Sequence, residues 1–358
     1  MDNTLKPTIK ISIVIPLYNV AGYAKKAADS IILQAGAVGS IEVVLVDDGS
    51  TDDSLEAYQK HLTGVKIVSV AQENLGLGAA RNVGIKNATG DYIVFLDGDD
   101  FFLPNAFLNI IAALGSQKPD MLFGNYHLWT EKKGLVCAKP LNPPEDAKFY
   151  VNYILQKCPR QATRYICRRM FILEHNVFFE TGMLCEDIKW SIDFLIALEK
   201  ADGRISFLTE PFYAYNHRRP GSIMNTCTAK RILDLNKTVY SLLDIYKQEQ
   251  GICKVLVWES FFYINEYCLF NKADRKQIIE SYRRVMPKYR LSRSQVFSFA
   301  GKFQNSALFY FMSVGLFVAK MLRRAVLHIA WALKGKPRVK FTTYEMREAK
   351  GISAWKNH

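Results

Sequence analysis

Several short polar clusters carry the residue types that do chemistry. Asp97-Gly98-Asp99 sets two carboxylates around a residue without a side chain, so both acids can meet one hard cation while the backbone approaches it closely. Oxygen ligands select Mg²⁺ or Mn²⁺, ions that keep waters and bind substrate phosphates. The structural alternative for an acid-Gly-acid run is a turn cap. Asp47-Asp48 offers carboxylates that accept hydrogen bonds from a ribose hydroxyl or a base N–H, and Ser50-Thr51-Asp52 behind it starts a helix. Residues 74–81 nearly spell G-x-G-x-x-G, but Arg81 stands where the third glycine belongs. That departure argues against a dinucleotide fold. Arg81 either clamps a diphosphate or braces the acidic turns.

These clusters sit at the ends of apolar runs. Residues 9–15, 41–46, 65–70 and 92–96 are β-rich and continuously apolar, the pattern of parallel strands buried on both faces. Helix-like segments at 20–34, 54–62 and 78–87 separate them. Strands alternating with helices make a right-handed parallel sheet, in which ligands bind at the carboxyl ends of the strands. The polar clusters lie at those ends. Residues 101–225 are mixed, with Pro/Gly breaks, and 226–300 read as helical.

The 358 residues suit two or three units, and 49% hydrophobic with 23% charged is an ordinary globular composition, not a disordered or collagen-like one. The formal charge is +13, from 47 Lys/Arg against 34 Asp/Glu. Residues 301–358 hold eleven of those cations against only Glu345 and Glu348. A basic tail on a near-neutral body suits an anionic surface, with a solvated tail as the bland alternative. The apolar run 307–319 is thirteen residues long, too short for a bilayer span of about twenty. With Lys/Arg on both flanks it suits an interfacial helix on anionic lipid; a hairpin packed on the protein's own core is the alternative. Seven cysteines without a CxxC pair read as reduced thiols, and residues 1–7 show no leader pattern, so the body is expected in a reducing cytoplasm.

Ile13-Val14-Ile15-Pro16-Leu17-Tyr18-Asn19, Val46-Asp47-Asp48-Gly49-Ser50-Thr51-Asp52, Asn74-x-Gly76-x4-Arg81-Asn82 and Phe95-Leu96-Asp97-Gly98-Asp99-Asp100 follow one another in that order. Together they closely resemble family 2 glycosyltransferases of the GT-A fold, strongly over about 100 residues and more loosely to about 225. The resemblance implies inverting transfer from a nucleotide-diphospho-sugar, usually UDP-linked, with a divalent metal. It places Pro16, Tyr18, Asn19, Asp47, Asp48, Asn74, Gly76, Arg81, Asp97 and Gly98 at the donor, with Tyr18 against uracil or packed, and Asp97 and Asp99 at the metal. Cys185-Glu186-Asp187 resembles the family's Glu-Asp motif, which assigns the catalytic base to Asp187 and puts Glu186 beside the acceptor. The bland reading of those acids is a helix N-terminus. Trp190, one helical turn on, floors the acceptor site or belongs to the core. His217-Arg218-Arg219-Pro220-Gly221-Ser222-Ile223 resembles the family's loop that closes over the diphosphate, with Arg218, Arg219 and Ser222 as donor contacts and His217 as a third metal ligand.

The expected fold is therefore α/β, a GT-A (Rossmann-like), mostly parallel sheet flanked by helices with a C-terminal helical extension. Residues 1–100 bind the donor, and 101–225 supply the acceptor site, base and lid. Residues 226–300 extend the helices, and 301–358 dock on the inner face of the cell membrane, where a glycan or lipid-linked acceptor of surface-polysaccharide synthesis waits. Two alternatives stand beside this. A sugar-nucleotide nucleotidyltransferase needs a Gly-rich basic loop after the first strand, where Pro16-Leu17-Tyr18-Asn19 stands instead. A non-catalytic basic binder of nucleic acid calls for basic and aromatic residues interleaved on the folded face, and the strand ends here are acidic.

Overall fold

The computed structural model describes residues 9–36, 41–115, 117–217, 228–246, 272–285 and 347–348. The chain divides into two compact units, Met1–Pro220 with Tyr344–His358, and Gly221–Thr343.

The first unit opens with β1 (Ile11–Leu17), α1 (Ala24–Ala35), β2 (Ile41–Asp47), α2 (Ser54–His61), β3 (Lys66–Ala71), α3 (Leu77–Asn87) and β4 (Tyr92–Phe95). The β1 strand pairs parallel with β2 and β4, and β2 pairs parallel with β3. Buried Ile, Val and Leu fill β1 and β2 on both faces, as their unbroken apolar runs require. Strand β1 runs two residues past its expected end and takes in Pro16. The strand tolerates the missing N–H there because its ladder to β4 ends at Val14. Strand β3 departs from the doubly buried expectation: it lies at the end of the strand order and is largely exposed. Helix α3 lies on β1 so closely that a Cβ on Gly84 would sit 2.2 Å from Val14 Cγ1.

The rest of this unit comprises β5 (Phe101–Phe102), α4 (Ala106–Leu114), β6 (Met121–Thr130), β7 (Gly134–Cys137), α5 (Tyr150–Lys157), β8 (Tyr165–Arg168), α6 (Arg169–Glu174), α7 (Glu186–Lys200) and β9 (Ile205–Asn216). Strand β8 enters antiparallel between β4 and β6, and β6 pairs antiparallel with β7 and parallel with β9. The sheet is therefore mixed: the expected parallel order holds for the first four strands and reverses beyond β4.

In the second unit, α8 (Ala229–Ile245) and α9 (Lys272–Val285) agree with the helical reading of 226–300; Asn236 donates to Ser281 across the pair at 3.0 Å. Within the basic tail only β10 (Arg347–Glu348) is described, antiparallel to β7 in the first unit. The apolar run 307–319 lies outside the described residues, and no helix among them is long and apolar enough to cross a membrane.

Candidate active site

The carboxyl ends of β1, β2 and β3 carry three loops that are hydrogen-bonded to one another. After β1, Asn19 adopts a left-handed φ of 53°, and its side-chain oxygen accepts from the Thr51 backbone N–H at 2.8 Å. Val20 N donates to Ser54 Oγ at 2.7 Å, and Ala21 N donates to Asp52 at 3.1 Å. The loops after β1 and β2 are thus one piece. Tyr18, at 46% exposure, stands out from it beside exposed Asn19. Pro16 is buried within β1.

The neighbouring acids Asp47 and Asp48 have separate jobs. Asp48 is buried and accepts from Gln72 Nε2 at 2.7 Å and from the backbone N–H groups of Leu75 and Gly76 at 2.9 Å each. It is fully engaged in shaping the loop between β3 and α3, where Gly76 takes a φ of 89° that a side chain would strain. Asp47 is half-buried and accepts from Ser50 through Oδ1 alone. Of the two, Asp47 is the more exposed. Asn74 is exposed on the same loop.

The acidic turn after β4 is set by close packing under Gly98, where a Cβ would meet Val20 Cγ2 at 2.9 Å and the Pro16 carbonyl at 3.1 Å. Buried Tyr58 donates to the Gly98 carbonyl at 2.6 Å. The third acid of the run, Asp100, is buried, accepts from Tyr213 and from Asn216 N, and has a carboxyl pushed well up by burial and by neighbouring Asp99 and Asp97. Asn216 Nδ2 reaches the Asp99 carbonyl at 3.1 Å. This support from β9 was not read from the sequence, where Tyr213 and Asn216 are two of several polar residues in the strand and carry no distinguishing signal.

Arg81, in α3, is 1% exposed. Its Nη2 donates to Asp97 at 2.8 Å, and its Nη1 to Glu186 at 2.7 Å and Asp187 at 2.6 Å. Of the two sequence readings the bracing one is observed, and it brings together acids ninety residues apart. Burial disfavours the guanidinium's charge, but Asp187, Asp97 and Glu186 outweigh that and hold it charged. Burial, then the Asp187 charge, push the Glu186 carboxyl up to about 8 against the pull of Arg81. The Asp187 carboxyl is also raised, by burial, with Arg81 opposing. Asp187 is the second residue of α7, which follows Cys185 in a left-handed turn, and its Oδ2 accepts from Ala162 N at 3.3 Å.

Trp190 does not face an acceptor. It is fully buried, stacked on Phe179 at 4.6 Å between centroids and set edge-on against Phe95 and Tyr165, so the core reading replaces the acceptor one. His217 follows β9, half-buried. No group of three His, Cys, Asp or Glu among the described residues is arranged to hold a metal, so His217 does not complete a set with Asp97 and Asp99. Arg218, Arg219 and Ser222 lie outside the described residues.

Residues 12–175 match the family described as glycosyl transferase family 2. The chain is similar to glycosyltransferase GlyG of Streptococcus pneumoniae, 30% identical over 236 residues, 60% of this chain and 73% of that protein. It is similar to GlyA of the same organism, 31% identical over 231 residues, and to the uncharacterized glycosyltransferase EpsJ of Bacillus subtilis, 29% over 224. Those matches cover 62% and 60% of this chain but only 32% of GlyA and 62% of EpsJ. Among solved structures, Staphylococcus aureus TarS residues 1–349 share the fold, with a TM-score of 0.62 and 19% identity over 79% of this chain and 81% of that one. The α/β fold is of the GT-A type, and the chain belongs to glycosyltransferase family 2.

Proposed function

We propose that the chain transfers a sugar, with inversion, from a UDP-linked sugar to a hydroxyl of a glycan or lipid-linked acceptor in surface-polysaccharide synthesis. The observation that carries this reading is the shared guanidinium. The donor turn at Asp97 and the candidate base Asp187 both lie within 2.8 Å of Arg81. Inverting transfer needs a donor held by its diphosphate and a carboxylate on the far side of the anomeric carbon to take the acceptor's proton. TarS, which shares the fold, has been solved with UDP-GlcNAc.

In this reading Tyr18 stacks on the base, and Asp47 accepts from the nucleoside. Asp48, Gly76 and Asn74 shape the loop that receives the diphosphate, with Arg218, Arg219 and Ser222 closing over it. Glu186 borders the acceptor beside Asp187. Asp97 and Asp99 would hold Mg²⁺ or Mn²⁺: two carboxylates, with diphosphate oxygens and waters completing the shell, are the hard-oxygen set such an ion takes. When bound, the ion offsets the negative charge that gathers on the departing diphosphate. Residues 1–100 form the donor half and 101–225 the acceptor half. The basic tail holds the chain on the cytoplasmic face of an anionic membrane.

The test is a panel of nucleotide-sugars added to the full chain, with and without Mn²⁺, read by thermal shift. A ligand that binds only the folded state raises the midpoint. The reading expects a metal-dependent rise with one UDP-sugar; no rise with any nucleotide-sugar would remove the donor site from the acidic strand ends.

A further inference from the structure

The guanidinium of Arg81 does more than neutralise its neighbours. It is planar and rigid, and its two terminal nitrogens are spent in different directions, Nη2 on Asp97 after β4 and Nη1 on Asp187 and Glu186 at the start of α7. Its Nε is buried without an acceptor among the described residues, so its orientation is set by the three carboxylates alone. Rings close around it: Phe179 lies 5.3 Å and Phe95 5.9 Å from the guanidinium carbon. The backbone under it is fixed too, because a Cβ on Gly78, one turn earlier in α3, would meet the Glu180 carbonyl at 2.8 Å and Glu186 Cγ at 3.3 Å.

The two oxygens of Asp187 differ accordingly. Oδ1 takes the charged bond from Arg81 at 2.6 Å. Oδ2 takes the long backbone bond from Ala162 at 3.3 Å, and the side chain, which also has a hydrogen bond from Glu186, is 22% exposed. A base must keep a lone pair for the incoming proton, and an oxygen bound to a guanidinium is the poorer candidate.

We propose that Arg81 is a positioning residue: it fixes Asp187 Oδ1, leaves Oδ2 as the atom that takes the acceptor's proton, and ties that orientation to the donor turn through Asp97. The inference rests on the glycosyltransferase reading above. In the step, the acceptor O–H bond breaks and its proton passes to Asp187 Oδ2. The oxygen bonds to the anomeric carbon, and the bond from that carbon to the diphosphate breaks with its electron pair leaving on the phosphate oxygen. Glu186 competes with Asp187 for the same Nη1 and so sets how firmly Oδ1 is held.

The test uses the full chain, its Arg81→Lys variant and its Glu186→Gln variant. Calorimetric titration with UDP-glucose, UDP-galactose, UDP-GlcNAc and UDP-GalNAc in Mn²⁺ identifies the donor bound by the wild type. Release of UDP from that donor, with water as acceptor, is then timed against pH. Lysine keeps the charge but cannot fork. Arg81→Lys should therefore bind donor within about threefold of wild type and release UDP about 30-fold more slowly or worse. Loss of donor affinity equal to the loss of rate, or an unchanged rate, would overturn the proposal. If Arg81→Lys does not fold, Glu186→Gln decides. Glu186, raised to about 8, is charged and competes for Nη1 only on the alkaline side, so the wild-type rate should fall as the pH passes 8 while Glu186→Gln keeps its rate there with donor affinity unchanged; the same alkaline fall in the variant would overturn the proposal. Failure of the wild type to bind any of the four donors would instead sink the glycosyltransferase reading, and this inference with it.

Discussion

Asn82 and Phe179 exchange two hydrogen bonds: the Asn82 amide donates to the Phe179 carbonyl and its oxygen accepts from the Phe179 N–H, each at 2.8 Å. The pair is buried and joins α3 to the segment that leads into α7, the two elements that carry Arg81 and Asp187. A side-chain amide that satisfies both polar groups of a distant residue acts as a missing piece of backbone ladder. Asn82→Ala leaves a buried N–H and a buried carbonyl unpaired, which costs about 2–4 kcal/mol. Urea unfolding should show that loss, and turnover should fall with it.

Gly78→Ala probes the same junction from the backbone. The added methyl meets the Glu180 carbonyl at 2.8 Å and the Phe179 Cβ at 3.2 Å, neither of which swings away as a flexible chain end would. The expected loss is about 1–3 kcal/mol of stability, with a larger effect on turnover than on donor affinity. Equilibrium unfolding and donor titration separate the two.

The candidate chemistry is tested at two carboxylates. Asp187→Asn should keep donor affinity and lower turnover by about 10²-fold or more, measured as UDP release. Asp99→Asn should instead abolish the metal-dependent part of donor binding, and unchanged affinity would take Asp99 out of the metal site.

At the other end of the parallel strands, buried Glu42 accepts from Ser12, Thr89 and Lys66. Burial alone would raise its carboxyl, but those hydrogen bonds outweigh it and hold the pKa at about 2, against 4.5 for the ordinary group. The folded value lies below the unfolded one. Its stabilisation, about 3 kcal/mol, is therefore fully present above pH 4.5 and is lost as the pH falls from there toward 2. Acid unfolding of the Glu42→Gln variant should show a shallower loss across that window, from a lower starting stability.

Removal of residues 301–358 should release the chain from vesicles containing anionic lipid while leaving nucleotide-sugar binding in place. Sedimentation with the vesicles reads the first and thermal shift the second. A truncated chain that aggregates would favour the tail as part of the protein's own core.

The first four strands and three helices were legible because each carries its own periodicity and ends in a turn signal. The second half was less so. Strand β8 runs backward between β4 and β6, and its four residues carry no mark of direction; that choice belongs to the partners. Trp190 illustrates the same limit. Spacing puts it one turn from Asp187, but only Phe95 and Phe179, from other elements, decide that it faces inward. Asp47 and Asp48 could not be told apart by type. The loop ending in Gly76 engages Asp48 and leaves Asp47 turned outward. For Arg81 both readings were on the page, and only the position of α7 chose between them.

The distance between Glu42 and the Arg81 cluster has a consequence for how such a chain can change over generations. Five residues of strand, about 16 Å, separate Glu42 from Asp47 along β2. The charges around Glu42 lie at one pole of the strands and those of the proposed site at the other. Inherited variation in the loops at the second pole can try new sugars and acceptors without touching the anchor at the first. Arg81 and the three acids it holds, Asp97, Glu186 and Asp187, are the exception, for one guanidinium bonds them all, and a change in one must be answered in another.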